Sequence, residues 1–139
     1  GFAFPYQRGL IAARAAEMLR LGGTVVTSAT DRTLREMGIA DNVEDQVMRL
    51  ARMGVESGID GVVASPHEID RLRGEFGNRI QFAVPGIRPS WAEPGDQSRF
   101  MTPRQALEAG ADYLVIGRPI TKHSDPREAV AKVLKELGP

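Results

Sequence analysis

Apolar positions along this chain gather into short continuous runs, separated by longer stretches in which they recur every three or four residues. The runs are Thr24-Val25-Val26-Thr27, Gly61-Val62-Val63-Ala64, Gln81-Phe82-Ala83-Val84 and Tyr113-Leu114-Val115-Ile116. None alternates apolar with polar residues, so each predicts a strand buried on both faces of a parallel sheet. In the intervening stretch 42–57, Val43, Val47, Leu50 and Val55 fall on one side of a helix, with Glu44, Asp45, Arg49 and Arg52 left to water. Ser65-Pro66, Thr102-Pro103 and Asp125-Pro126 each pair a capping side chain with proline at the first helical position. Ser65 with Glu68 and Thr102 with Gln105 have capping-box spacing, and Gly77 and Gly110 supply stops.

A further helix is expected around Gln7 to Arg20. The predicted order is thus one helix followed by four β-α units, an α/β fold with a parallel sheet, right-handed crossovers and two open sheet edges. Halves of a Rossmann fold and of a barrel both satisfy this order. No GxGxxG follows a strand and no GxxxxGK[ST] occurs, which points away from the Rossmann fold. A complete eight-unit barrel needs about 250 residues, so four units in 139 residues match half of one, as a single domain over 1–139.

Composition narrows the partner. Hydrophobic residues make up 42% and charged residues 26%, enough for one core. Lys+Arg and Asp+Glu each total 18, which removes a general electrostatic reason for nucleic acid or an anionic membrane and leaves a small molecule as the expected partner. Without cysteine, and with only His67 and His123, neither a disulfide framework nor a structural zinc site is expected. No apolar run approaches the roughly 20 residues of a membrane span, and the first ten residues lack a signal-peptide pattern, so the expected compartment is cytoplasmic. A chain opening at Gly1 instead of methionine suggests a fragment or a processed or trimmed product.

In barrels, ligand groups gather beyond the C-terminal ends of strands, and phosphate is held by the loops after the last two. The third run leads into Pro85-Gly86-Ile87-Arg88-Pro89 and then a polar stretch, residues 90–101, too long for a mere connector. The fourth ends in Gly117-Arg118-Pro119-Ile120-Thr121. Gly117 would let the backbone approach an anion, Arg118 offers a forked pair of donors to phosphate oxygens, and Gln97 adds neutral amide donors. The plainer alternatives are arginines paired with neighbouring carboxylates and a glycine that only shapes a turn. His67 and His123 are expected to be solvated or capping, and Trp91 to be either a loop anchor or a surface residue.

Asp60-Gly61-Val62-Val63-Ala64-Ser65, Val84-Pro85-Gly86-Ile87-Arg88-Pro89, Gly95-Asp96-Gln97-Ser98-Arg99, Met101-Thr102-Pro103 and the stretch 109–120, Ala-Gly-Ala-Asp-Tyr-Leu-Val-Ile-Gly-Arg-Pro-Ile, stand in this order. Together they resemble the bacterial orotidine 5'-phosphate decarboxylase family, from about Thr24 to the last helix. The resemblance implies a (β/α)8 TIM barrel of which this chain is the C-terminal part. It further implies a homodimer with active sites at the subunit interface, and conversion of orotidine 5'-monophosphate to uridine 5'-monophosphate and carbon dioxide without metal or organic cofactor. By matching motif, Thr27 is expected on the pyrimidine side, Arg88 and Gln97 in a closing loop, and Gly117 with Arg118 in the phosphate cradle. The family's Asp-x-Lys-x-x-Asp catalytic segment does not occur here, and the three lysines, Lys122, Lys132 and Lys135, stand in other contexts. No catalytic residue is therefore assigned, and the chain is expected to be inactive alone. A half-barrel that only binds a nucleotide or sugar phosphate, or a structural remnant, are the alternatives.

Overall fold

Strands β1 (Leu21–Gly23), β2 (Gly61–Val63), β3 (Gln81–Val84) and β4 (Tyr113–Leu114) lie side by side in chain order in the computed structural model, which describes Leu21–Gly23, residues 29–92 and residues 100–138. All pairings are parallel: Gly23 faces Val63, Val63 faces Ala83, Ala83 faces Tyr113 and Val84 faces Leu114. Four strands in unbroken chain order fit the barrel, since the classic doubly wound sheet keeps that order for only three. A doubly wound sheet reverses its strand order at a switch point, whereas each strand of a barrel neighbours the next. The run Thr24 to Thr27 and the helix around Gln7 to Arg20 fall outside the described residues.

The connections depart in detail from four simple β-α units. Two helices, α1 (Asp31–Glu36) and α2 (Val43–Glu56), join β1 to β2. A 3-10 turn, Pro66–Glu68, and α3 (Ile69–Phe76) lead to β3, and α4 (Pro103–Glu108) leads to β4. Short α5 (Arg118–Thr121) and then α6 (Pro126–Leu137) follow.

Two of the three Pro-containing starts form as expected. Thr102 accepts from the Gln105 amide at 3.2 Å while the Gln105 side chain accepts from the Thr102 amide at 3.0 Å, a complete capping box. The Asp125 carboxylate takes the amides of Arg127 and Glu128. The Ser65–Glu68 box does not form. The chain tightens into the 3-10 turn, Glu68 is drawn into the interior, and the buried Ser65 hydroxyl has no hydrogen-bond partner among the described residues.

The core lies between sheet and helices. Val62, Ala64, Phe82 and Val84 pack with Val47, Met48, Ile69, Leu72 and Phe76. Phe82 is fully buried, and its truncation to alanine would cost about 3–5 kcal/mol. Helix α2 faces the core with Val43, Val47, Met48 and Ala51, while Leu50 and Val55 are only half-buried. The other sheet face is less covered than the continuous apolar runs predict. Val63 and Tyr113 are half-buried and Val115 is 37% exposed, since no described strand lies opposite them as in a closed barrel.

Candidate functional site

Because the strands are parallel, the segments following β3 and β4 leave the same end of the sheet. Beyond β3, Ile87 forms a parallel bridge with Met101, Arg88 donates its amide to the Met101 carbonyl at 2.9 Å, and the Met101 amide reaches the Gly86 carbonyl at 3.4 Å. The long polar stretch is thus pinned at its two ends against one another. Arg88 is 7% exposed, more deeply set than a loop arginine left to solvent. Gln97, expected in the same stretch, lies outside the described residues, as does Thr27 beyond β1.

After β4, the Val115 amide still bonds to the Val84 carbonyl at 2.8 Å, and Ile116 turns into the core. Gly117 then caps α5, its carbonyl accepting from Ile120 at 3.0 Å and Thr121 at 3.1 Å. Arg118, expected in an open loop, is instead the first residue of this helical turn, where Pro119 forfeits no hydrogen bond. The turn holds the Arg118 backbone while its side chain stays exposed. A Cβ added at Gly117 would meet no described residue within 4 Å.

The structure places three of the five expected site residues, Arg88, Gly117 and Arg118, beyond the C-terminal ends of the adjacent strands β3 and β4. Val84 and Leu114 are register partners, and Arg88 and Arg118 each stand four residues beyond one of them. Two surface hollows have volumes of about 480 and 510 Å³, the second lined in part by Met101, whose carbonyl takes the Arg88 amide. The first, lined by Ala29, Thr30, Asp31, Asn42, Val43 and Glu44, adjoins the chain beyond β1. There Asp31 is committed to structure, accepting from the Val43 amide at 2.8 Å. The second lies at His67, Asp70, Phe100 and Gln105, and His67 is exposed. Among the described residues no group of three or more His, Cys, Asp or Glu converges to hold a metal ion, and no helix is long and apolar enough to cross a membrane.

Further contacts surround these segments. Trp91 meets His123 edge-on, which supports the loop-anchor reading. His123 Nδ1 accepts from the Asp125 amide at 3.1 Å, a capping role as expected. At the opposite end of the sheet, Asp112 accepts from the Phe82 amide at 2.7 Å and from Arg73 at 2.8 Å. An acidic residue between a glycine stop and a strand was the only sequence signal for that clamp.

The family model of orotidine 5'-phosphate decarboxylase / HUMPS matches residues 9–133. The orotidine 5'-phosphate decarboxylase of Trichlorobacter lovleyi is 50% identical over 117 residues, covering 84% of this chain and 48% of that protein. The same enzyme from Shewanella sediminis is 48% identical over 120 residues, covering 86% and 51%. The crystal structure of orotidine 5'-phosphate decarboxylase from Lactobacillus acidophilus superposes with a TM-score of 0.72 at 38% identity, over 86% of this chain and 49% of that one. The chain spans about half the length of the relatives it matches.

Proposed function

From a chain that belongs to the orotidine 5'-phosphate decarboxylase / HUMPS family, we propose a role as the phosphate-binding and loop-bearing part of an enzyme converting orotidine 5'-monophosphate to uridine 5'-monophosphate and carbon dioxide in pyrimidine biosynthesis. The observation that carries this reading is the placement of Arg88 and of Gly117-Arg118 at the same end of adjacent parallel strands. Arg118 grips phosphate oxygens, the Gly117 backbone comes close to them, Arg88 and Gln97 act from the loop after β3, and Thr27 faces the pyrimidine. Charge-assisted hydrogen bonds of this kind contribute about 1.5–3 kcal/mol each. Since phosphate is remote from the bond that breaks, gripping it supplies binding energy for ordering the site.

The chemical step needs a group that protonates the ring carbon as the carboxylate leaves. Within these 139 residues no Asp-x-Lys-x-x-Asp segment occurs to provide it. That group comes from sequence outside them, in a cytoplasmic, cofactor-free enzyme working as a homodimer. Refolding this chain with a barrel half that carries the segment restores decarboxylation, while the chain alone gives none. Turnover by the chain alone, or none from the correctly assembled mixture, would sink the reading. The missing segment favours a second reading, a half-barrel that binds a nucleotide phosphate without catalysis. It is supported if the mixture assembles and binds uridine 5'-monophosphate yet stays inactive.

A further inference from the structure

Just past Arg88 the chain is fastened to its own C-terminal region by contacts outside the core. The Ser90 amide donates to both carboxylate oxygens of Glu136 on α6, each at 3.1 Å. The Trp91 indole meets the His123 imidazole with ring centroids 5.7 Å apart and planes at 84°, the edge-to-face arrangement that aromatic quadrupoles favour. Lys132 Nζ sits 5.6 Å from the indole centroid and 3.5 Å from His123 Nε2, and pairs with Glu128 at 2.8 Å. The bond from the Asp125 amide to Nδ1 holds the imidazole ring in place.

These contacts join two particular segments. Ser90 and Trp91 follow Arg88 directly after Pro89, and His123 follows the α5 turn that begins with Arg118. Trp91 lies outside the core cluster, and its ring meets His123 and Lys132 instead. We propose that Trp91, His123 and Glu136 form a latch that sets the position of the Arg88 segment against Gly117-Arg118. They are then positioning residues for phosphate binding, an inference that rests on the phosphate reading above.

Trp91 is the single tryptophan, so its emission reports the latch directly. His123→Ala should change that emission without ligand. In calorimetry with uridine 5'-monophosphate, Trp91→Ala and His123→Ala should each weaken binding about two- to tenfold, the range expected for an edge-to-face pair. The double variant should bind no more weakly than the weaker single one, and Trp91→Phe, which keeps a ring facing His123, should stay within about twofold of the native chain. If Trp91→Ala lowers the melting temperature, His123→Ala decides, since it removes the same contact from the other side. Native affinity in both alanine variants, alongside weakened binding by Arg118→Ala, would overturn the latch and leave the phosphate reading standing. No binding by the native chain, or equal binding by Arg118→Ala, would overturn the phosphate reading and the positioning role together.

Discussion

The two ends of the sheet are built on opposite terms. At the N-terminal end of β3 and β4, polar groups are used up by one another. The Asp112 carboxylate takes the Phe82 amide and Arg73. Arg73 also donates to the carbonyls of Gly77, at 2.7 Å, and Gly110, and its guanidinium lies 4.3 Å from the centroid of the Phe82 ring. Gly110 permits this, since it has φ +104° and a Cβ there would come within 3.0 Å of Arg73 Nε. At the C-terminal end, the Arg118 side chain is exposed and no described residue lies within 4 Å of where a Gly117 Cβ would stand. Donors satisfied within the protein stabilise the N-terminal end, whereas the loops beyond the C-terminal ends of barrel strands are where ligand groups gather.

Substitutions can break this contrast. The largest effect is expected from Arg118→Ala, which on the phosphate reading weakens uridine 5'-monophosphate binding at least tenfold in calorimetry and moves the thermal midpoint less than Asp112→Ala does. Asp112→Ala should do the converse, with about 1.5–3 kcal/mol lost in urea unfolding and affinity kept within about twofold. Asp112→Asn, which keeps an oxygen for the Phe82 amide, should lose less. If either substitution moves both quantities together, the two ends are not separable. Thr102→Ala, opening the capping box where the polar stretch returns to α4, should lower stability by about 1 kcal/mol. Gly117→Ala puts a methyl where no described residue lies within 4 Å, so a change in ligand binding would report on that space and not on a clash. Weaker ligand binding in that variant would identify that space as the phosphate position, and unchanged binding would place the phosphate elsewhere.

The smallest effect sharpens the contrast from outside both ends. Arg52 on α2 hydrogen-bonds Glu75 on α3 and holds its carboxyl below the usual carboxylate range. A carboxyl with a folded pKa below its unfolded one stabilises at neutral pH, and that contribution is lost as pH falls through the folded value. Glu75→Gln should therefore slightly flatten the acid limb of a thermal-midpoint profile, less so in high salt, since the pair is partly solvated. Ligand affinity should not change.

Sequence by itself determined the features whose partners lie within a turn or a strand. The apolar runs located β2, β3 and β4, the Thr102–Gln105 box and the Asp125 cap formed where their spacing put them, and the ordered motifs were sufficient for the family. Such signals are legible because a cap bonds to an amide two or three residues away, whatever the rest of the chain does. Even there, Ser65 and Glu68 had the right spacing and formed no box, the chain running into a 3-10 turn with Glu68 buried. Tertiary structure alone decided the strand order, which fits the barrel that the missing fingerprints and the family motifs pointed to. It also decided the Arg73–Asp112 clamp across 39 residues, the Ser90–Glu136 bond across 46 and the pairing of Trp91 with His123. Each depends on where a helix returns the chain to the sheet, which is set by packing of the whole core and not by any spacing within one element.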